Sequence, residues 1–382
     1  MNSRRLCIAL LAVVIAVVAA HPDVMAQSAA LTLWRIPHGE SFPAGMAMDA
    51  RGWVYVALSA GREVFGLDPS TNTFRSWGVG EGPAAVAVVD EAVFCSVQDA
   101  NQVVWLHPDS LGVTTAVLPF LNLGPRELVR GAETAAGETL LWMTSWQQPA
   151  VLQLAYDPAT EAPGVVGEPT ETSASPETVV IGETTLTADY EAFPYDVSVL
   201  PDPYEITFVS AANGLTKWEL PLPDDYAVYD LAPTADGTVW ISFGAPFLLR
   251  LDPAANTLQE LETIPNAAIL NGLYAAPDGS VWFSNLVEGG IGHLDLSLGF
   301  SETWRIPGAE DIYDLVFDKE GALWYTDRVA DIIGRLDTAT GTVTAYALPE
   351  GSEPLNLLVD DTGNVWFSAG LGNYIGKLVF GD

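Results

Sequence analysis

The sequence predicts an all-β propeller, a ring of short four-stranded blades around a central channel, and three observations carry that prediction. Trp240, Trp282, Trp324 and Trp366 stand 42 residues apart, each inside one recurring phrase: DGTVWISF, DGSVWFSN, EGALWYTD and TGNVWFSA. A repeat of about 40–45 residues is the length of one propeller blade. Within each period, apolar residues alternate with polar ones between Gly and Asp turns, which is the pattern of strands rather than helices. Finally, the two ends of the chain read as complementary parts of one blade. The last unit stops after its third strand, YIGKLVF, while LTLWRIP at Leu31 to Pro37 matches the fourth-strand phrase TWRIP at Thr303 to Pro307.

Taken in chain order, residues 1–26 stand apart from this pattern. Arg4 and Arg5 precede an apolar run from Leu6 to Ala20, and Val24-Met25-Ala26 offers small residues at the cleavage-determining positions. This is the pattern of a secretory signal peptide cut before Gln27, so export to the periplasm, cell surface or medium is expected. Residues 27–382 are then expected to form one propeller domain, closed by the N-terminal strand so that no open edge remains between first and last blades. Tyr55, Phe94, Trp142 and Phe208 fill the aromatic slot of the earlier units, at successive spacings of 39, 48, 66, 32, 42, 42 and 42 residues. That count favours eight blades over seven; a seven-bladed ring would require merging one unit with its neighbour. The irregular stretch from Pro158 to Tyr190, rich in Thr, Glu, Pro and Gly, reads as an inserted loop or hairpin. Asp68, Asp157, Asp252 and Asp337 each begin a tight turn by accepting nearby backbone N–H groups. The periodic tryptophans are expected to fill the gaps between blades. Trp105, Trp146 and Trp218 fall off that slot and are freer to meet a ligand.

Composition narrows the partners. The formal net charge is −34, and between Arg130 and Lys217 there is no Lys, Arg or His against thirteen Asp and Glu. Such a surface repels nucleic acid and anionic lipid. It suits solubility first, and cationic ligands or divalent cations second. No segment after the leader is long and apolar enough to span a membrane, and a monomer is expected. Cys95, in the apolar strand AVFCSV, reads as a small buried hydrophobe. No Ser-His-Asp pattern, phosphate loop, CxxC or HExxH appears, so those chemistries have no support.

The phrases DGSVWFSN, EGALWYTD, GNYIGKL and IIGRLDTATGTVTAYALP resemble the blades of the streptogramin B lyase (virginiamycin B lyase-like) family. The resemblance is strong from Trp218 to Phe380 and loose from Leu31 to Trp105. It implies the propeller fold. For the lyases themselves it implies opening of a cyclic depsipeptide by proton abstraction, with histidines and a glutamate on inner loops and a magnesium ion. This chain departs from that pattern: after the leader its histidines are His38, His107 and His293, none of them at the inner, post-proline position.

What does occupy the start of each innermost strand is Arg126-Glu127, Tyr195-Asp196, Tyr229-Asp230, Asn271, Tyr313-Asp314 and Asn356. These residues are expected to converge on one end of the channel. Arg126, Tyr195, Tyr229, Tyr313 and Asn356 are the candidate ligand-binding residues. Asp196, Asp230, Asn271, Asp314 and Asp327 offer the hard oxygen donors that suit Ca²⁺ or Mg²⁺. Glu127 and Asp314 are the candidate catalytic carboxylates, in the manner of metal-assisted lactone opening. Against this stands a structural reading, favoured by the repetition itself: Asp bonding backbone amides and Tyr packing between blades. The first functional expectation is an exported binding module for a small-molecule, glycan or protein ligand. The second is a metal-dependent lyase or hydrolase opening a lactone or cyclic ester.

Overall fold

A computed structural model describes residues 29–380 apart from 110–111, 159–169, 195–201, 212–214, 224–225, 263–268, 286–288 and 298–299. The described chain forms seven antiparallel sheets arranged as a seven-bladed propeller. The innermost strands, in blade order, are Pro43–Met48, Pro83–Val89, Pro125–Glu133, Asp230–Pro233, Leu270–Ala275, Ile312–Phe317 and Pro354–Val359. Ala29–Arg35 pairs with Tyr374–Val379 and supplies the fourth strand of blade 7, as the matching end phrases required.

The preferred count of eight blades is corrected to seven. Phe208, assigned to the aromatic slot of a separate unit, lies instead at the outer edge of blade 3, where Phe208–Ser210 pairs with Leu215–Glu219. Blade 3 therefore opens at Pro125 and closes at Glu219, and one long insertion had imitated an extra period. That insertion is neither a simple loop nor a hairpin. Its strands Thr170–Ser173, Glu177–Ile181, Glu183–Thr187, Asp189–Pro194, Tyr204–Glu205 and Phe208–Ser210 pair in turn with the fourth strands of blades 1, 7, 6, 5, 4 and 3. The insertion thus runs around the perimeter against the blade order and makes six of the seven sheets five-stranded.

Sheet twist explains how one segment reaches so many blades. Neighbouring strands rotate by about 20–25°, so a fifth strand lies roughly 80–100° from the first. Inner strands therefore follow the channel, while outer strands lie along the circumference. A single residue, Gly182 or Ala188, suffices to step from one blade edge to the next. The belt also packs apolar residues against the ring, with Ile181 and Ala188 each 6% exposed.

The core is divided into seven apolar clusters, one in each gap between neighbouring blades. Because strand side chains alternate, each sheet feeds both of its gaps. The periodic tryptophans serve this role, Trp142, Trp240, Trp282, Trp324 and Trp366 being 2–7% exposed. Three carry a cation from the third strand over the indole: Arg250 at 5.8 Å, Arg335 at 5.8 Å and Lys377 at 4.8 Å from the ring centroid. Among the described residues no helix is long and apolar enough to cross a membrane.

Candidate functional site at the channel mouth

The site originates in a backbone irregularity repeated around the ring. In blades 1, 2, 3, 5, 6 and 7 the pairing of first with second strand slips just after the strand begins, for example between Pro125 and Leu128 and between Ile312 and Leu315. A bulge of this kind re-aims side chains, and bulges recur beside functional sites. Here it turns two successive residues of each blade toward the channel mouth. A hydroxyl on the second strand holds the bulge in blades 2, 3, 5, 6 and 7: Thr144, for example, accepts from the Glu127 N–H at 2.9 Å, and Thr326 from that of Asp314 at 3.1 Å. The same hydroxyls link blades, as when Thr326 donates to the Leu355 carbonyl at 2.9 Å and Ser96 to that of Arg126 at 2.6 Å.

The resulting mouth is lopsided. Blades 1 and 2 present Gly45 and Ala85, whereas Glu127, Asp230, Asp314 and Asn356 stand at the equivalent positions of blades 3, 4, 6 and 7 around a cavity of about 190 Å³. The inner strands approach closely: a Cβ on Gly272 would fall 2.4 Å from the Tyr313 carbonyl oxygen.

The three carboxylates in this cavity differ in what they bond. Asp230 accepts from its neighbour's N–H at Leu231, 2.7 Å, and from Leu273 on the next blade, also 2.7 Å. Asp314 repeats the arrangement with Leu315 at 2.8 Å and Leu357 at 2.7 Å, and takes a third bond from the Asn356 amide at 3.2 Å. Both are clamps between inner strands, the structural role that their repetition had favoured. Glu127 has one more methylene and makes no such bond: its carboxylate has no hydrogen-bond partner among the described residues. Burial pushes its pKa up to about 7, against the pull of Arg126 and with a further push from Asp314. Burial raises Asp314 to about 6 and lifts Asp230 well above the usual carboxylate range, Glu127 adding to the latter.

Above this floor sits a cationic and aromatic lip. The Arg126 guanidinium lies 4.2 Å from the Trp146 ring centroid and donates from Nη2 to the Tyr313 hydroxyl at 2.9 Å. Trp146 stacks on Tyr229 at 5.9 Å. On the far side of Tyr313, Arg328 lies 4.6 Å from its ring and pairs with Asp311. The Trp146 side is open to solvent at 37% exposure. Of the three off-slot tryptophans, Trp146 is the one at this mouth; Trp218 is buried against Trp142, and Trp105 stacks on Phe94 in blade 2.

Of the residues singled out from sequence, Arg126, Glu127, Tyr229, Asp230, Asn271, Tyr313, Asp314 and Asn356 do converge here. Tyr195 and Asp196 lie outside the described residues. Asp327 does not join them, because both its oxygens are turned into its own loop, accepting from Glu310 at 2.8 Å and Asp311 at 3.1 Å. Asn271 spends its amide on the Tyr313 carbonyl at 3.0 Å. Asp230 and Asp314 each have both oxygens engaged by backbone donors, and no group of three or more His, Cys, Asp or Glu that could hold a metal ion is assembled among the described residues. None of the described histidines lines the cavity. His38 pairs with Glu63, and His293 lies within blade 5 against Trp282 and Glu302. In blade 2 the third-strand residue opposite the slot aromatic Phe94 is Trp105, not His107.

Comparison with known proteins follows the same division. Residues 209–381 match the model of the Virginiamycin B lyase family. A solved streptogramin B lyase superposes with a TM-score of 0.67 at 20% identity, covering 93% of this chain and 98% of the other. A virginiamycin B lyase from Staphylococcus aureus gives 0.67 at 15% identity, with 92% and 99% covered. A catalytically inactive histidine-to-alanine form of the lyase from that organism, with quinupristin, gives 0.67 at 16% identity and the same coverage. No curated protein matches the chain. By fold the chain is a β-propeller similar to the solved streptogramin B lyases, and the match to that family's model covers residues 209–381.

Proposed function

We propose that the chain is an exported ligand-binding propeller whose site is the channel mouth. The observation that supports this most is the lip of Arg126, Trp146, Tyr229 and Tyr313 standing over one carboxyl, Glu127, that has no hydrogen-bond partner among the described residues. A preformed aromatic surface with a few converging polar groups is the usual make-up of a small-molecule site. The ligand in this reading is a small molecule that lays an aromatic or apolar face on Trp146, offers a carbonyl to Arg126, and lowers a donor toward Glu127. Divalent metal is not needed for any of these contacts. Export is tested by N-terminal sequencing of the protein recovered outside the cytoplasm, with cleavage before Gln27 expected.

The raised pKa of Glu127 favours a second reading, ring opening of a cyclic ester. A carboxylate with a pKa near 7 can take a proton at neutral pH, and Arg126 would stabilise the oxyanion that forms. No described histidine lines this cavity, so the base in this reading would be a carboxylate, Glu127. Incubating the protein with quinupristin and with simple macrolactones separates the two readings. Saturable binding that is weakened by Trp146→Ala, without turnover, supports the binding module. Turnover abolished by Glu127→Gln supports the enzyme, and neither binding nor turnover refutes the mouth as the site.

A further inference from the structure

A second cleft lies far from the channel, where the belt crosses from blade 6 to blade 5. It encloses about 540 Å³ and is lined by Tyr190, Trp282, His293, Glu302 and Trp304, with Thr338 to Gly341 of blade 6 as its other wall. Ligand sites of about 300–1,000 Å³ are typical.

The cleft exists because blade 5 differs from the three other blades that share its 42-residue phrase. In blades 4, 6 and 7 the third-strand position over the blade tryptophan is a cation held by the turn aspartate: Arg250 with Asp236 at 2.9 Å, Arg335 with Asp318 at 3.6 Å, Lys377 with Asp360 at 3.9 Å. Blade 5 has His293 there, its ring stacked on Trp282 at 4.1 Å. The shorter imidazole turns to the fourth strand, and its Nδ1–H donates to Glu302 Oε2 at 2.9 Å. From the belt, the Tyr190 hydroxyl donates to the other oxygen of Glu302 at 2.5 Å. The carboxylate is thereby fixed by two donors on opposite sides, yet each oxygen keeps a lone pair. A row of rings completes the surface: His293 on Trp282, Trp282 on Trp304 at 5.2 Å, and Trp304 against Tyr190 at 5.4 Å. Tyr190, 53% exposed, offers the outer ring face to solvent.

We propose that this cleft is a separate binding site for a neutral oligosaccharide. An open ring face accepts the C–H side of a sugar, a pre-oriented carboxylate accepts its hydroxyl protons, and the Thr338 hydroxyl supplies a further partner. The charge of the chain, −34, argues against an acidic sugar. The site needs no group from the channel mouth and stands whatever occupies that mouth.

The test is titration of the purified protein with maltose, cellobiose and N,N′-diacetylchitobiose, followed by tryptophan fluorescence and calorimetry. At least one disaccharide is expected to saturate, with a Kd of about 1 mM or tighter, the strength that a few such contacts supply. Tyr190→Ala and Glu302→Gln are each expected to weaken it about tenfold, the loss of one good charge-assisted contact. Tyr190→Phe, which keeps the ring and loses only the bond to Glu302, should fall between wild type and Tyr190→Ala. Arg250→Gln, on a blade with the ordinary cation, should leave binding unchanged. Failure of all three disaccharides to bind, or binding that survives Tyr190→Ala and Glu302→Gln in variants that melt like wild type, would overturn the proposal.

Discussion

Replacing Glu127 by Gln is expected to stabilise the protein at pH 8 and to do nothing at pH 5. The Glu127 pKa is raised from 4.5 to about 7, chiefly by burial. Between those values the folded state holds a proton that the unfolded chain has released, so stability is greatest below the unfolded pKa and falls as pH rises through the folded one. For this shift the loss between pH 5 and pH 8 is about 2.5 kcal/mol at most, and roughly half of that once water in the channel screens the charge. With unfolding entropy of about 2.1 cal/mol/K per residue, a propeller of this length moves by ~1.4 °C per kcal/mol. Gln mimics the protonated carboxyl in size and carries no charge to bury. The variant should therefore melt about 2–3 °C above wild type at pH 8 and within about 0.5 °C of it at pH 5. Differential scanning calorimetry across pH 5–8 reads this directly. A difference that is independent of pH, or a Gln variant less stable at pH 8, would refute the argument that the site holds an unpaired, desolvated carboxyl.

Three further outcomes follow from the same geometry. Removing residues 29–37 takes the fourth strand from blade 7 and exposes the partners of Leu31, Leu33 and Trp34, each at most 4% exposed. At about 1.5–3 kcal/mol per buried side chain the loss is roughly 5–9 kcal/mol, comparable to the whole stability of a domain, so the truncated chain should be insoluble or unfolded by circular dichroism. Gly272→Ala forces a methyl to within 2.4 Å of the Tyr313 carbonyl oxygen, and the approach of inner strands leaves little room to yield. A cost of about 1–3 kcal/mol, read from denaturant midpoints, is expected. EDTA should leave the melting temperature unchanged, because both oxygens of Asp230 and of Asp314 are engaged by backbone donors. A fall of several degrees restored by Ca²⁺ or Mg²⁺ would show instead that a bound ion stabilises the fold.

Much of this protein is legible without coordinates. The 42-residue period fixes the blade, because a tryptophan that fills a gap between sheets must return once per sheet. The matching phrases LTLWRIP and TWRIP fix the closure, because the last blade's third strand leaves an edge that a fourth strand must pair with. The inner pairs such as Arg126-Glu127 and Tyr313-Asp314 are visible as the departures from an apolar strand, and they do meet at one mouth.

What the chain alone leaves open is whatever depends on neighbours far away in sequence. Asp230, Asp314 and Glu127 look alike as acidic residues at the head of an inner strand. Only the distance to the next blade's N–H separates two clamps from one open carboxyl. The belt escaped because it has no period of its own: its residues are chosen to match six different edges, and its Phe208 falls by chance near an aromatic slot. The blade count went astray with it, since a local pattern cannot tell an outer strand from a second one. The Tyr190–Glu302–His293 group spans 112 residues and joins a belt to a blade. Periodicity reports contacts that repeat within a blade, and tertiary structure alone decides those that occur once.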